Sequence, residues 1–418
     1  MRKVLKISLK IFLFGLSGAL VLICVCLGLF WVEHSQSVTL PVPTGTYAVG
    51  RTTFAWKDST RTDSLAPTPD VKRELVVWVW YPADSANSDI VADYFPADLR
   101  KALKERQGPV LSNIILKDLS KVHSHSILNA RLSSKQVSYP VLLMKSGIGA
   151  MAGDYTTLAE ELASHGYVVV GSDAPYSTSV VVFPDGRVVF GTQQGNPGDS
   201  APSEERTRRL NRLVTIWTAD TRFVLDKLES LNKGDVNNIF SGHLNLQELG
   251  VFGHSFGGAT ALQFCRDDIR CKVSVDMDGA PFGAVSTTGL PKPVMFLLAD
   301  HAEESDSASL EIQSNIQSIY DRLPESRIWI SLRGARHFNF SDRAILTEWF
   351  VSRIFGALGP IGEERGLTVS SACLRIFFDV YLKARPVTAI SRLPEQYPEV
   401  RFERSLPLSP PLPADAGQ

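Results

Sequence analysis

The stretch Gly250-Val251-Phe252-Gly253-His254-Ser255-Phe256-Gly257-Gly258-Ala259-Thr260 decides the fold. Gly250–Gly253 reads as a short buried strand and Phe256–Cys265 as an apolar helix. Between them, Gly253-His254-Ser255-Phe256-Gly257 is a G-x-S-x-G turn in the strand–turn–helix setting that the pattern requires. The spacing has a steric reason: a turn this sharp needs neighbours without side chains. It lifts the serine Oγ clear of the sheet and sets it at a helix N-terminus, where negative charge is favoured. His254 is expected to point away into the scaffold.

Working outward, strands and helices alternate from about residue 70. Leu75–Tyr81, Val141–Lys145, Tyr167–Ser172, Cys271–Val275, Val294–Ala299 and Arg327–Leu332 read as strands. Asp154 is a candidate N-cap for a helix carrying Leu158 and Leu162. Helices are also expected over Glu205–Leu231, Ala308–Leu323, Asp342–Phe355 and Ser370–Lys383. This rhythm predicts an α/β fold, a mostly parallel sheet with helices on both faces. Ala83–Ser138 and Pro175–Ser203 break it and are expected to be insertions over the active-site end of the sheet.

The ends differ from the middle. Arg2, Lys3, Lys6 and Lys10 precede an unbroken apolar run from Ile11 to Val32, about 33 Å as a helix and enough for a hydrocarbon core of about 30 Å. The run ends Leu29-Phe30-Trp31-Val32-Glu33, without the small residues of a cleavage site. The expectation is an uncleaved signal-anchor, residues 1–35, with the N-terminus cytoplasmic and the remainder extracytoplasmic, periplasmic or extracellular. A catalytic domain over 36–385 and a disordered Pro-rich tail over 386–418 complete the division. The 44% hydrophobic and 21% charged residues exclude a wholly disordered chain, and a net charge of −1 gives no support to nucleic-acid binding. The five cysteines show no metal-type spacing, so no metal is expected. Cys265 and Cys271 flank a short turn and are read as free thiols in preference to a disulfide.

A serine hydroxyl is a weak nucleophile and needs a base. Of eight histidines, His301 and His337 follow strands downstream of Ser255. His337, in the loop after the last strand, fits the order nucleophile, acid, base. For the acid, Asp276, Asp278 and Asp300 all lie near strand ends, and position alone favours Asp300. Two backbone N–H groups must hold the oxyanion: Phe256, which follows the nucleophile, and Ile148 in the loop Lys145-Ser146-Gly147-Ile148-Gly149. Gly147, Gly149 and Gly153, with Asp173 further on, also make a weak dinucleotide-type pattern of the wrong spacing.

Together these residues resemble the plasma-type (group VII) platelet-activating factor acetylhydrolases, members of the α/β-hydrolase superfamily. The likeness runs through Gly253–Thr260, Pro43–Gly50, Trp80-Tyr81-Pro82, Tyr139-Pro140-Val141 with Ser146–Gly149, Leu162–Tyr167, and Gly334-Ala335-Arg336-His337 with Asn339-Phe340, about residues 41–360 in all. It implies Ser255 as nucleophile, His337 as base, and Ile148 and Phe256 as oxyanion donors. Its acid follows Cys-x-x-x-x, which ranks Asp276 ahead of Asp300 and then Asp278. The chain departs from the family in having Ser146-Gly147 where His-Gly is usual. The resemblance implies hydrolysis of phospholipids with short or oxidised sn-2 acyl chains through an acyl-enzyme, without a cofactor. The alternatives are a general extracytoplasmic short-chain esterase, of dienelactone-hydrolase-like or polyester-cleaving type, and a membrane-anchored binding protein on a degenerate hydrolase fold.

Overall fold

The computed structural model describes residues 2–84, 90–108, 115–198, 203–234, 238–301, 307–323, 326–348, 356 and 358–404. In chain order the main elements are α1 (Arg2–His34), β1 (Val38–Thr39), β2 (Ala48–Thr62), β3 (Lys72–Ala83), β4 (Val91–Asp93), α2 (Ala97–Gln107), β5 (Val122–Leu128), β6 (Tyr139–Lys145), α3 (Thr156–Ser164), β7 (Val168–Asp173), β8 (Val180–Val182), β9 (Val188–Phe190), α4 (Ser203–Lys233), β10 (Leu244–His254), α5 (Phe256–Asp267), β11 (Cys271–Met277), β12 (Val294–Leu298), α6 (Ser307–Tyr320), β13 (Arg327–Leu332), α7 (Glu363–Leu382) and β14 (Val400–Phe402).

One sheet runs in the order β1-β5-β2-β3-β7-β6-β10-β11-β12-β13-β14, with β4 paired to β5. Its centre, from β7 to β13, is parallel. The strands alternate between two cores, as a period of two demands. On β6, Leu142 and Met144 face α3 and α7, while Val141 and Leu143 face α4, α5 and α6. From β6 the chain passes first to β7 on one side and later to β10 on the other. The crevice beyond the carboxyl ends of β6 and β10 is therefore a topological switch point, where open α/β sheets bind ligands. The loop Ser146–Gly149 and Ser255 both emerge there.

Several expectations need correction. Asp154 does not cap a helix from outside; it lies in a 3-10 turn ahead of α3, where its carboxylate accepts from Met151 N–H. Ala83–Ser138 is not simply an insertion, because it contributes β5 to the main sheet beside β1 and β2. The described part of Pro175–Ser203, 175–198, does flank the site, with Gly149 N–H donating to Ser177 O, and 199–202 lie outside the described residues. The helix expected at Asp342–Phe355 is a single turn, Arg343–Leu346, within the described residues; 349–355 lie outside them. The tail expected from 386 is ordered to 404, because β14 pairs antiparallel with β13 and Val400 is buried. Residues 405–418 lie outside the described residues. Cys265 and Cys271 form a disulfide rather than free thiols, with a Cα–Cα distance of 5.1 Å, inside the range a bridge allows. It joins the end of α5 to the start of β11.

Candidate active site

Ser255 sits between β10 and α5 with φ 58° and ψ −129°, a region costly to a residue with a side chain. The surrounding glycines make that turn possible. A Cβ on Gly253 would lie 2.2 Å from Gly257 O, and one on Gly258 would lie 1.8 Å from Asp276 Oδ1. Ser255 N–H donates to Met277 O at 2.8 Å, which ties the turn to the end of β11. Gly147 closes the crevice from the β6 side: a Cβ there would meet Ser255 Cβ at 3.2 Å. Among the described residues the Ser255 hydroxyl has no hydrogen-bond partner. In apo hydrolases this contact is commonly long and tightens on substrate.

His337 opens a short 3-10 turn after β13, fixed by Asn339, whose side chain accepts from Arg336 N–H and Gly359 N–H and donates to Gly362 O. Its Nδ1 lies 2.6 Å from Asp278 Oδ2. The structure therefore brings His337 to Asp278 and not to Asp276 or Asp300. Asp276 still belongs to β11, paired with Gly253, and its side chain runs beneath the nucleophile turn, where Oδ1 accepts from Gly279 N–H at 2.9 Å. Burial and the neighbouring Asp278 hold its carboxyl well above the usual carboxylate range. Asp300 accepts from Gly334 N–H and shapes the histidine loop from behind. Asp278 lies one residue past β11, with φ 52°. Burial opposes its ionisation, but hydrogen bonds from His301 and His337 outweigh burial and hold it well below the usual range.

The second half of the site is the loop after β6. Gly147 N–H donates to Tyr155 Oη and Gly149 N–H to Ser177 O. Among the described residues Ile148 N–H has no such partner, and Phe256 N–H opens α5. Tyr155 and His254 were not singled out by sequence as parts of the site. Tyr155 Oη lies 2.8 Å from His254 Nδ1, and His254 Nε2 lies 2.9 Å from His337 O. A carbonyl only accepts, so His254 carries its proton on Nε2 and takes the tyrosine O–H at Nδ1. One chain of bonds thus links the Gly147 loop to the His337 loop behind Ser255. Burial, then the nearby His337, pushes the His254 imidazole down to about 3, so it stays neutral. His254, Asp278 and His337 offer atoms within 4.8 Å of one another, but the hydrogen bonds above already engage both His254 nitrogens.

Beside Ser255 an apolar wall is built from Leu210, Leu213, Val214, Trp217 and Phe256, with half-buried Ile148, Tyr176 and Phe282 at its edge. Trp217 packs edge-on to Phe256 at 5.0 Å. Lys145, the last residue of β6, is buried with Nζ donating to Ser172 Oγ, and burial pushes it down to about 8.

Fold and site together define a serine hydrolase of the α/β-hydrolase class. Residues 32–189 and 192–384 match the family described as platelet-activating factor acetylhydrolase, isoform II, and the chain belongs to that family. A platelet-activating factor acetylhydrolase of Cavia porcellus is 23% identical over 385 residues, 84% of this chain and 82% of its own. A probable 1-alkyl-2-acetylglycerophosphocholine esterase of Arthroderma benhamiae is 26% identical over 280 residues, 63% of this chain and 66% of its own. Among solved structures, a ferulic acid esterase from Streptomyces cinnamoneus superposes with a TM-score of 0.71 at 27% identity, covering 88% of this chain and all of that one.

Proposed function

We propose that the protein is a membrane-tethered serine esterase that removes short or oxidised sn-2 acyl groups from phospholipids. The observation that carries the reading is the His337 Nδ1–Asp278 Oδ2 bond at 2.6 Å beside a serine held at φ 58°. Ser255 Oγ attacks the ester carbonyl carbon while His337 Nε2 takes its proton. The Ile148 and Phe256 N–H groups hold the oxyanion. Collapse of the tetrahedral intermediate breaks the C–O bond to the glyceryl oxygen, which leaves with the proton from His337. Water then attacks the acyl-enzyme with His337 again as base, releasing the carboxylic acid and restoring Ser255. Asp278 stays ionised and supports the imidazolium in both steps.

The relatives' names support a phospholipid substrate, and so does the anchor. Phe12–His34 is an apolar helix, and its side chains from Phe12 to Leu29 stand exposed, away from the domain. Its end docks on the catalytic domain: His34 Nδ1 lies 3.0 Å from buried Glu348, and Lys121 Nζ donates to Ser35 O. The basic residues of the first turns of α1, ahead of its apolar stretch, support a cytoplasmic N-terminus, and the Cys265–Cys271 disulfide supports an oxidising, extracytoplasmic compartment for the domain. The proposed division is an anchor over 1–35 and a catalytic domain over 36–404. The similarity to a ferulic acid esterase favours one second reading, an esterase of simple or aromatic esters.

Hydrolysis of 2-acetyl and 2-palmitoyl phosphatidylcholine by the full chain in detergent, with Ser255→Ala as control, tests the proposal. Turnover of the acetyl lipid alone, lost in the variant, is expected. Turnover of 4-nitrophenyl acetate or methyl ferulate with neither phospholipid cleaved replaces it with the second reading.

A further inference from the structure

Asp278 is gripped by two histidines, and a triad accounts for only one of them. Its carboxylate is almost wholly buried and accepts three N–H bonds. Ala299 N–H at 2.9 Å and His301 Nε2 at 2.7 Å meet Oδ1, and His337 Nδ1 at 2.6 Å meets Oδ2. An ionised carboxylate only accepts, so each imidazole presents a proton to it. His337 is then the Nδ1–H tautomer, with its Nε2 lone pair available to Ser255. His301 is bound the other way round, through Nε2, on the oxygen facing away from His337.

We propose that His301 is a positioning residue that locks the Asp278 carboxylate plane and lowers the basicity of His337. The inference rests on the Ser255–His337–Asp278 reading. Two donors on Oδ1 remove the carboxylate's freedom to rotate about χ2, so Oδ2 is held on His337 although Asp278 stands on a turn. The same donors draw negative charge from the carboxylate. The His337 imidazolium formed during catalysis therefore gains less from Asp278 than it would from a carboxylate with one partner.

The described charged and titratable groups around His301 lie on two sides of it. Asp278 and His337 lie on the site side, and Asp300 is its chain neighbour, turned to Gly334 N–H. On the other side His301 borders a cavity of about 400 Å³ that is also lined by Arg401, Glu403 and Arg404. Arg401 is paired with Glu403 at 2.6 Å, and Arg404, bonded to the neutral Gln317, leaves one positive charge on that side among the described residues.

The test uses the full chain, 4-nitrophenyl acetate and a pH series from 4.5 to 8.5, with His301→Phe and His301→Gln. Losing one donor to the carboxylate moves the acid limb of kcat/KM upward by about 0.5–1 pH unit for His301→Phe. At the plateau kcat falls about tenfold with KM unchanged, an effect comparable to one lost hydrogen bond in the transition state. His301→Gln can still donate to Oδ1; it keeps the limb in place and restores the plateau to within about threefold. A His301→Phe limb that stays with the wild type's, or a His301→Gln no better than His301→Phe, overturns the proposal. If His301→Phe fails to fold, nitrogen-detected NMR of the wild-type imidazoles decides. His301 must carry its proton on Nε2, and the Nδ1–H tautomer overturns the inference. Ser255→Ala in parallel separates the two levels: residual activity there refutes the serine mechanism itself, whereas an inactive Ser255→Ala with an unmoved limb refutes only the role of His301.

Discussion

Two carboxylates two residues apart make opposite predictions when each becomes an amide. Asp278→Asn places an NH2 or a single carbonyl where three N–H donors converge. If the amide oxygen serves Ala299 and His301, the NH2 faces His337 Nδ1 at 2.6 Å. That ring must then flip its proton to Nε2, the atom that has to accept from Ser255. The wrong tautomer costs about 10³–10⁴ in kcat, or roughly 4–5.5 kcal/mol in the barrier. Asp276→Asn, by contrast, replaces a carboxyl already held protonated by burial and by Asp278. The amide oxygen keeps the Gly279 N–H bond, and kcat should stay within about threefold. Stability supplies a second readout for Asp276. Its unfolded-state carboxyl ionises near 3.9, while the folded one stays protonated well above that. Folding therefore takes up a proton in this window, and the wild type loses stability as pH rises through it, by up to about 1.4 kcal/mol per unit. Asp276→Asn lacks this loss, so its melting temperature relative to wild type should rise from pH 4 to pH 8. The assay is steady-state hydrolysis of 4-nitrophenyl acetate, with thermal melts across pH. An active Asp278→Asn beside an inactive Asp276→Asn would refute this assignment of the acid.

Other outcomes follow from the same geometry. Tyr155→Phe strands the Gly147 N–H and the His254 Nδ1, so kcat should fall about tenfold, the worth of a buried hydrogen bond, with little change in KM; unchanged kcat would show that the link between the two loops is idle. Gly258→Ala drives a Cβ to 1.8 Å from Asp276 Oδ1, and fluorophosphonate labelling of Ser255 should be lost; normal labelling would contradict the packing of α5 on β11. Cys265 and Cys271 are six residues apart. Replacing both with serine should remove about 2 kcal/mol by loop-closure entropy, measured as a lower denaturation midpoint that reductant does not lower further. A midpoint equal to the wild type's would mean the bridge does not contribute to stability.

The sequence was most legible where one physical requirement admitted few residues. The turn at Ser255 needs glycines within van der Waals reach of backbone, and those glycines stand next to it in the chain, so both fold and nucleophile could be read locally. His337 was legible for a similar reason: a histidine in the loop after β13, the last parallel strand, can reach the carboxyl edge of the sheet. The pairing of His337 with Asp278 was not legible, because the family resemblance favoured Asp276 and alternation along a strand puts residues 276 and 278 on one face. The backbone leaves β11 at Met277, and Asp278 takes φ 52°. That break turns its carboxylate toward His337 and leaves Asp276 under α5, and no local pattern of residue types announces it. His301, Tyr155 and His254 were hidden differently. Each acts through a partner between 23 and 99 positions away, Asp278 for His301, His254 for Tyr155, His337 for His254. Such a partnership exists only once the parallel sheet has brought β6, β10, β11, β12 and β13 edge to edge. Local chemistry therefore specified the reacting atom. The groups that hold its partners in place were specified by topology, and the folded chain alone reveals them.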